Sequence, residues 1–351
     1  MQIKRADFLQ ILSRVKSGLS SKERIDQSNS IVFTDGNIVT YNEDIMVMLP
    51  FDVDFQGAVR AEELLGILGK LKADTVDVSA QDGQVVIRAG RSKSGIRFEE
   101  EVRLPVQDVL SDYQKLDADN MISLPKTFLP ALARARFCVA KGMNNIMLTG
   151  LYVHNGVVTA SDNYRIIQIQ TGSKAMKKLP EFLLPASCVE FLSQLEVLRI
   201  GISPSWAFFE GEDGLLFCVR LLSLDSPFPD VSRFFDVQGT EINLPAGLVE
   251  AIDKADIFVK SSVHEFDKQI FVYIKPNRVV LRGEGSFGWY EESVPAENEQ
   301  QNFGFCVHPG FLRDILPHVH RTIVTDRLVV FEGDDFKHVF AISLQDSQEG
   351  N

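Results

Sequence analysis

The sequence predicts an α+β protein of three tandem domains, each with two helices packed on antiparallel sheet. Two repeat series and the strand pattern between them carry that prediction. An apolar stripe of Phe8, Leu9, Leu12 and Val15 returns as Phe128, Leu129, Leu132 and Ala135, and again as Leu248, Val249, Ile252 and Ala255, 120 residues apart each time. Positions i, i+1, i+4 and i+7 share one side of a helix, and the residue six beyond the first falls on the other side. That outlying position holds Arg14, Arg134 and Lys254. A second helical pattern, centred on Leu68, Leu192 and Leu316, recurs at intervals of 124 residues. Periods this long mark whole domains, because solenoid units repeat at roughly 20–50 residues.

Between the helices lie β-branched and aromatic runs broken by turn dipeptides. Asp35-Gly36, Asp82-Gly83, Asn155-Gly156 and Asp213-Gly214 stand where hairpin bends are expected. The polar stretches SDYQKLDADN and DVQGTE set the expected domains at 1–116, 117–238 and 239–351. Sheet edges must be paired or covered, and three like modules can meet that need by joining edge to edge.

The composition narrows the function classes. Hydrophobic content of 45% suits packed domains, and 36 basic against 48 acidic side chains give a net charge of −12. An anionic total argues against a protein that coats nucleic acid with its whole surface, and leaves room for a local basic lining. Cys138, Cys188, Cys218 and Cys306 stand apart among apolar neighbours, as buried reduced thiols of a cytoplasmic protein do. No secretory signal opens the sequence, and no apolar run reaches the ~20 residues of a membrane span.

Chemistry-bearing motifs are scarce. GEGSFG at 283–288 fits the dinucleotide fingerprint, but that fingerprint requires a helix after the glycines, and WYEESVP reads as a strand. A hairpin bend is the better reading. His318 and His320 lack neighbouring ligands for a metal, and no nucleophile elbow, phosphate loop or zinc-protease motif occurs. A non-catalytic chain with no cofactor and no metal is expected. The repeated Arg14, Arg134 and Lys254, with Lys70 and Lys126 also placed away from apolar stripes, favour a lining that faces nucleic acid. Phosphate-neutralising charge suffices for sequence-independent binding to duplex DNA.

The strings VVIRAGRSK, TASDNYRI, LSLDSPFPDV and FCVHPGFLRDIL, in this order, resemble the bacterial DNA polymerase III beta-subunit sliding clamps over essentially the whole chain. The resemblance implies three DNA-clamp domains per subunit and a head-to-tail homodimer. That dimer is a closed ring with helices lining the pore, which encircles duplex DNA and tethers the replicative polymerase. Arg24 then joins the DNA contacts. The partner-peptide groove maps to Leu148, Ser161, Asn163, Tyr164, Arg165, Ile166, Pro229, Arg233, Phe234, His308, Phe311 and Ile342. It would receive short apolar peptides of the polymerase catalytic subunit and the clamp loader. Ile257 and Phe258, whose apolar character extends toward the loop before VHEF, would meet the strand carrying Ile96 and Phe98 of the other subunit. Three positions depart from the family pattern: Ser-Asp-Asn-Tyr-Arg replaces Thr-Asp-Gly-His-Arg, Ala341-Ile342-Ser343-Leu344 replaces Met-Pro-Met-Arg, and Ala186-Ser187 stand where many members carry Arg-Lys. A clamp-like protein scaffold that no longer loads on DNA is the alternative.

Overall fold

A computed structural model of the chain describes residues 1–117, 120–142, 145–260, 268–299 and 301–345. Antiparallel sheet dominates, with few helices, and the chain divides into two compact units. The first holds residues 1–133, 152–156 and 173–225. Its 12-stranded sheet runs in the order Gln2–Lys4, Thr75–Gln81, Gln84–Ala89, Ser92–Glu99, Gly57–Arg60, Ser30–Thr34, Asn37–Tyr41, Ile45–Pro50, Leu216–Arg220, Trp206–Gly211, Val197–Ile202, Ile122–Ser123. The expected Arg5–Val15 and Ala61–Lys70 helices bury Phe8, Leu12 and Val15, and Leu64 and Leu68. The Thr40 hydroxyl donates to the Val15 carbonyl and ties the first helix to the sheet.

A helix absent from the sequence reading, Val106–Gln114, lies just ahead of the first expected boundary. Its Val106 and Val109 pack with Tyr41, Met46, Trp206 and Phe208 in one core cluster. Nine residues with few apolar positions give a weak periodic signal, and the sheet beneath supplies the burial that stabilises them.

The second unit holds residues 134–151, 157–172 and 226–351. One sheet runs Val157–Ser161, Arg165–Gln170, Phe336–Ala341, Leu328–Glu332, Arg321–Val324, Thr240–Ile242. Another runs Gly288–Pro295, Arg278–Gly285, Ile270–Lys275, Phe303–Val307, Ser343–Gln345. Helix Leu248–Val259 packs so closely on the latter that a Cβ at Gly283 would stand 2.5 Å from the Ala255 carbonyl oxygen. The glycine is therefore a packing requirement of a strand. No helix follows Gly288, since Gly288–Pro295 is the return strand of the hairpin, and the dinucleotide reading fails on its own criterion.

Two further expectations need correction. The second helices of the later thirds shrink to Val189–Leu192 and Pro309–Arg313, each flanked by a 3-10 turn, because Pro185 and Pro317 bound them and too few residues remain to propagate a longer helix. Lys126 sits in the turn before Phe128–Ala135 and on no helix, because Pro125 opens that turn. Asp35-Gly36 and Asn155-Gly156 both carry positive φ at their two central positions, as tight two-residue hairpins demand. The loop before VHEF lies outside the described residues.

Edges do join. Ile45–Pro50 pairs with Leu216–Arg220, placing Met46 opposite Cys218. Arg165–Gln170 pairs with Phe336–Ala341, placing Ile166 opposite Val339. All four cysteines are buried and free.

Candidate nucleic-acid interface and partner groove

Each of the three repeated helix cations meets an acid. Arg14 grips Asp213 through two guanidinium nitrogens, one at 3.1 Å, and the pairing holds the Asp213 carboxyl below its ordinary range. Arg134 pairs with Asp335 at 2.5 Å and lies 4.9 Å over the Phe336 ring. Lys254 binds Glu292 at 3.0 Å, and this bond raises the ammonium pKa. The partners of Arg14 and Arg134 sit 199 and 201 residues away. Both acids belong to related FEGED and FEGDD hairpin loops. Helix periodicity alone could not reveal that these cations are neutralised locally; the repeated acidic loop was the available signal. Arg24, Lys70 and Lys126 are exposed, and among the described residues none has a carboxylate within ion-pair distance. Lys70 ends its helix, where a cation favours the dipole.

Of the residues expected in the groove, Arg165 lies between carboxylates and aromatic rings. It is 9% exposed, donates to Asp162 at 2.8 Å and to the Phe137 carbonyl, and stands 3.9 Å from Asp314. Its guanidinium carbon lies 4.2 Å from the Phe311 ring centroid and 5.0 Å from that of Phe137. His308 caps the short Pro309–Arg313 helix by accepting from the Gly310 amide at 3.1 Å, and its ring meets Phe311 at 5.1 Å. Burial pushes the Asp314 carboxyl up, with Arg165 opposing that rise.

The remaining expected members have neighbours of their own. Ile166 and Phe234 pack on one apolar cluster with Val231, Phe235 and Val339. Tyr164 is exposed, and Asn163 takes a positive φ in the turn, its amide donating to the Ser161 hydroxyl at 3.3 Å. Pro229 and Arg233 are exposed, with Arg233 folded over its neighbour Phe234 at 4.9 Å. Leu148 is buried in the turn Ile146–Thr149, and the Ile342 amide donates to the Arg327 carbonyl at 2.8 Å.

Among the dimer-interface expectations, Ile257 is 65% exposed, while Phe258 is half-buried and stacks on Tyr290. Ile96 and Phe98 are half-buried on strand Ser92–Glu99, where Phe98 pairs with Val59. Sequence reasoning missed Phe137, Asp314 and His338. The Asp162 to Arg165 spacing was a readable local signal for one ion pair; the aromatic faces come from distant segments.

Over nearly its whole length the chain has the fold of the bacterial DNA sliding clamps. In particular, it is that of DNA polymerase III beta subunits. The sliding clamp from Bacillus subtilis matches with a TM-score of 0.81 at 19% identity, over 98% of this chain and 99% of that one. The DNA polymerase III beta chain of Streptococcus pneumoniae matches with a TM-score of 0.82 at 16% identity, over 97% and 98%. The Pseudomonas aeruginosa clamp, solved bound to griselimycin, matches with a TM-score of 0.80 at 16% identity, over 97% and 98%. No family model and no curated protein matches the sequence.

Proposed function

We propose that this chain is a DNA sliding clamp, a non-catalytic processivity factor of replication in the cytoplasm. The observation that carries the reading is a clamp fold over 97–98% of the chain. Three domains at 1–116, 117–238 and 239–351 would, as a head-to-tail homodimer, make a ring around duplex DNA. Arg24, Lys70 and Lys126, with Arg14, Arg134 and Lys254, are the proposed phosphate contacts, and no cofactor or metal enters the function. Among the described residues no helix is long and apolar enough to cross a membrane.

The proposed groove around Phe311, Phe234 and Ile166 would take short apolar peptides of the polymerase and the clamp loader. Because Arg165 is sandwiched between two rings and two carboxylates, affinity would come from apolar side chains.

One observation favours the alternative of a protein-binding scaffold that no longer loads on DNA. All three repeated helix cations already have acid partners. The discriminating experiment loads the protein, with a bacterial loader, onto nicked circular DNA and onto the same DNA linearised. A clamp stays on the circle and slides off the line, whereas equal retention, or none on either, would refute the clamp reading.

A further inference from the structure

We infer that Asp253, Asp256 and Arg313 are positioning residues of the proposed peptide groove, which hold the short Pro309–Arg313 helix so that Phe311 stays over Arg165. None of the three belongs to the expected groove. The inference rests on the groove reading and adds what fixes the groove's aromatic wall.

A helix of five residues does not hold its own shape, because isolated helices below about 12–15 residues are marginal in water. Its neighbours must supply the order. At the first end the His308 ring accepts from the Gly310 amide, and Pro309 and Leu312 are buried. At the last end two adjacent residues reach in different directions. Arg313 reaches helix Leu248–Val259, where its Nε stands 2.6 Å from the Asp253 carboxylate and its Nη2 donates to Asp256 at 2.9 Å. Asp314 stands 3.9 Å from Arg165. Asp253 and Asp256 are three apart on their helix, which puts both carboxylates on one side for a single guanidinium to bridge. Phe311 and Asp314 are also three apart, and both meet Arg165. The short helix is thus gripped between a longer helix and a buried guanidinium.

The charges give this grip a positional purpose. Asp256 is 6% exposed, and a buried carboxylate is costly unless it is paired. An apolar contact would join the two helices as firmly but without direction, whereas a guanidinium fork facing two carboxylates fixes an orientation. Orientation is what Phe311 needs. Two residues ahead of Arg313, its ring lies 4.2 Å from the Arg165 guanidinium carbon, 5.1 Å from the His308 ring and 6.1 Å from that of Phe340. A small rotation of the short helix would take the ring off all three neighbours together. An incoming peptide would then have to order the wall it binds, at a loss of affinity.

Arg313→Met combined with Asp256→Leu removes the tether without stranding a buried charge, so the fold should survive. Two readouts apply. In nitrogen-15 NMR the Arg165 Nε–H signal carries the ring-current shift of Phe311, and in the double variant it should move toward its position in Phe311→Ala. A fluorescein-labelled peptide bearing two leucines and a phenylalanine should bind the double variant about tenfold more weakly, and adding Phe311→Ala should weaken it little further. Arg313→Lys keeps the charge and should fall between parent and double variant. Asp253→Asn, on the exposed side of the tether, should move both readings the same way by less. An Arg165 signal that stays at its parent position, or full additivity with Phe311→Ala, overturns the positioning role and leaves the groove reading standing. A parent protein that ignores the peptide, or binds it equally after Phe311→Ala, overturns the groove reading, and the NMR signal still decides whether the tether places Phe311.

Discussion

Replacing Arg165 with alanine removes a buried cation from two carboxylates and two aromatic faces at once. The guanidinium lies 2.8 Å from Asp162, 3.9 Å from Asp314 and 4.2 Å from the Phe311 centroid, and the residue is 9% exposed. Solvent screening is small for the pair with Asp162, which is 15% exposed, and larger for that with Asp314, which is 40% exposed. Removing one partner of a buried ion pair costs about 3–5 kcal/mol, chiefly because the surviving carboxylate is stranded. At about 2–4 °C per kcal/mol, the melting temperature should fall on the order of 10 °C. Arg165→Lys keeps the charge but loses the planar fork, so it should recover only part of the loss.

The deficit should also depend on pH. Asp314 is raised by burial and held back by Arg165. An acid whose folded pKa exceeds its unfolded value adds stability when protonated and loses it as pH rises through the folded pKa. Without Arg165 that pKa climbs further, so the difference between variant and parent should shrink as pH drops below it. Scanning calorimetry at several pH values reads both effects. A loss under about 1 kcal/mol, or a deficit that grows on acidification, would refute the account of Arg165 as a paired, buried cation.

Two further outcomes follow from the same geometry. Burial lowers the His338 pKa to about 3, so this imidazole stabilises the fold fully above its unfolded pKa and progressively less as pH falls from there toward 3. His338→Gln should flatten the acid limb of a stability–pH profile by no more than about 5 kcal/mol; an unchanged limb would place the titrating group elsewhere. Asp213→Asn with Asp335→Asn should free Arg14 and Arg134 for phosphate, tightening binding to duplex DNA and steepening its log–log salt dependence by up to about two units. Fluorescence anisotropy across a salt series checks this, and an unchanged slope would remove both arginines from the interface.

The helix stripes at Phe8, Phe128 and Leu248, and the hairpins at Asp35-Gly36 and Asn155-Gly156, were legible because helix period, strand alternation and turn conformation are local properties of the chain. By the same logic the return strand after Gly288 could be read, since WYEESVP alternates. Even the Arg165 to Asp162 pair lay within one turn's reach. What the sequence alone did not decide is which distant acids meet the helix cations, which rings enclose Arg165, and that Val106–Gln114 forms a helix on a sheet face built by Trp206 and Phe208. These depend on long-range strand registers, such as Met46 opposite Cys218, that bring together residues far apart in the chain. Local propensity sets the elements; edge pairing and burial, summed over the whole sheet, decide which side chains meet.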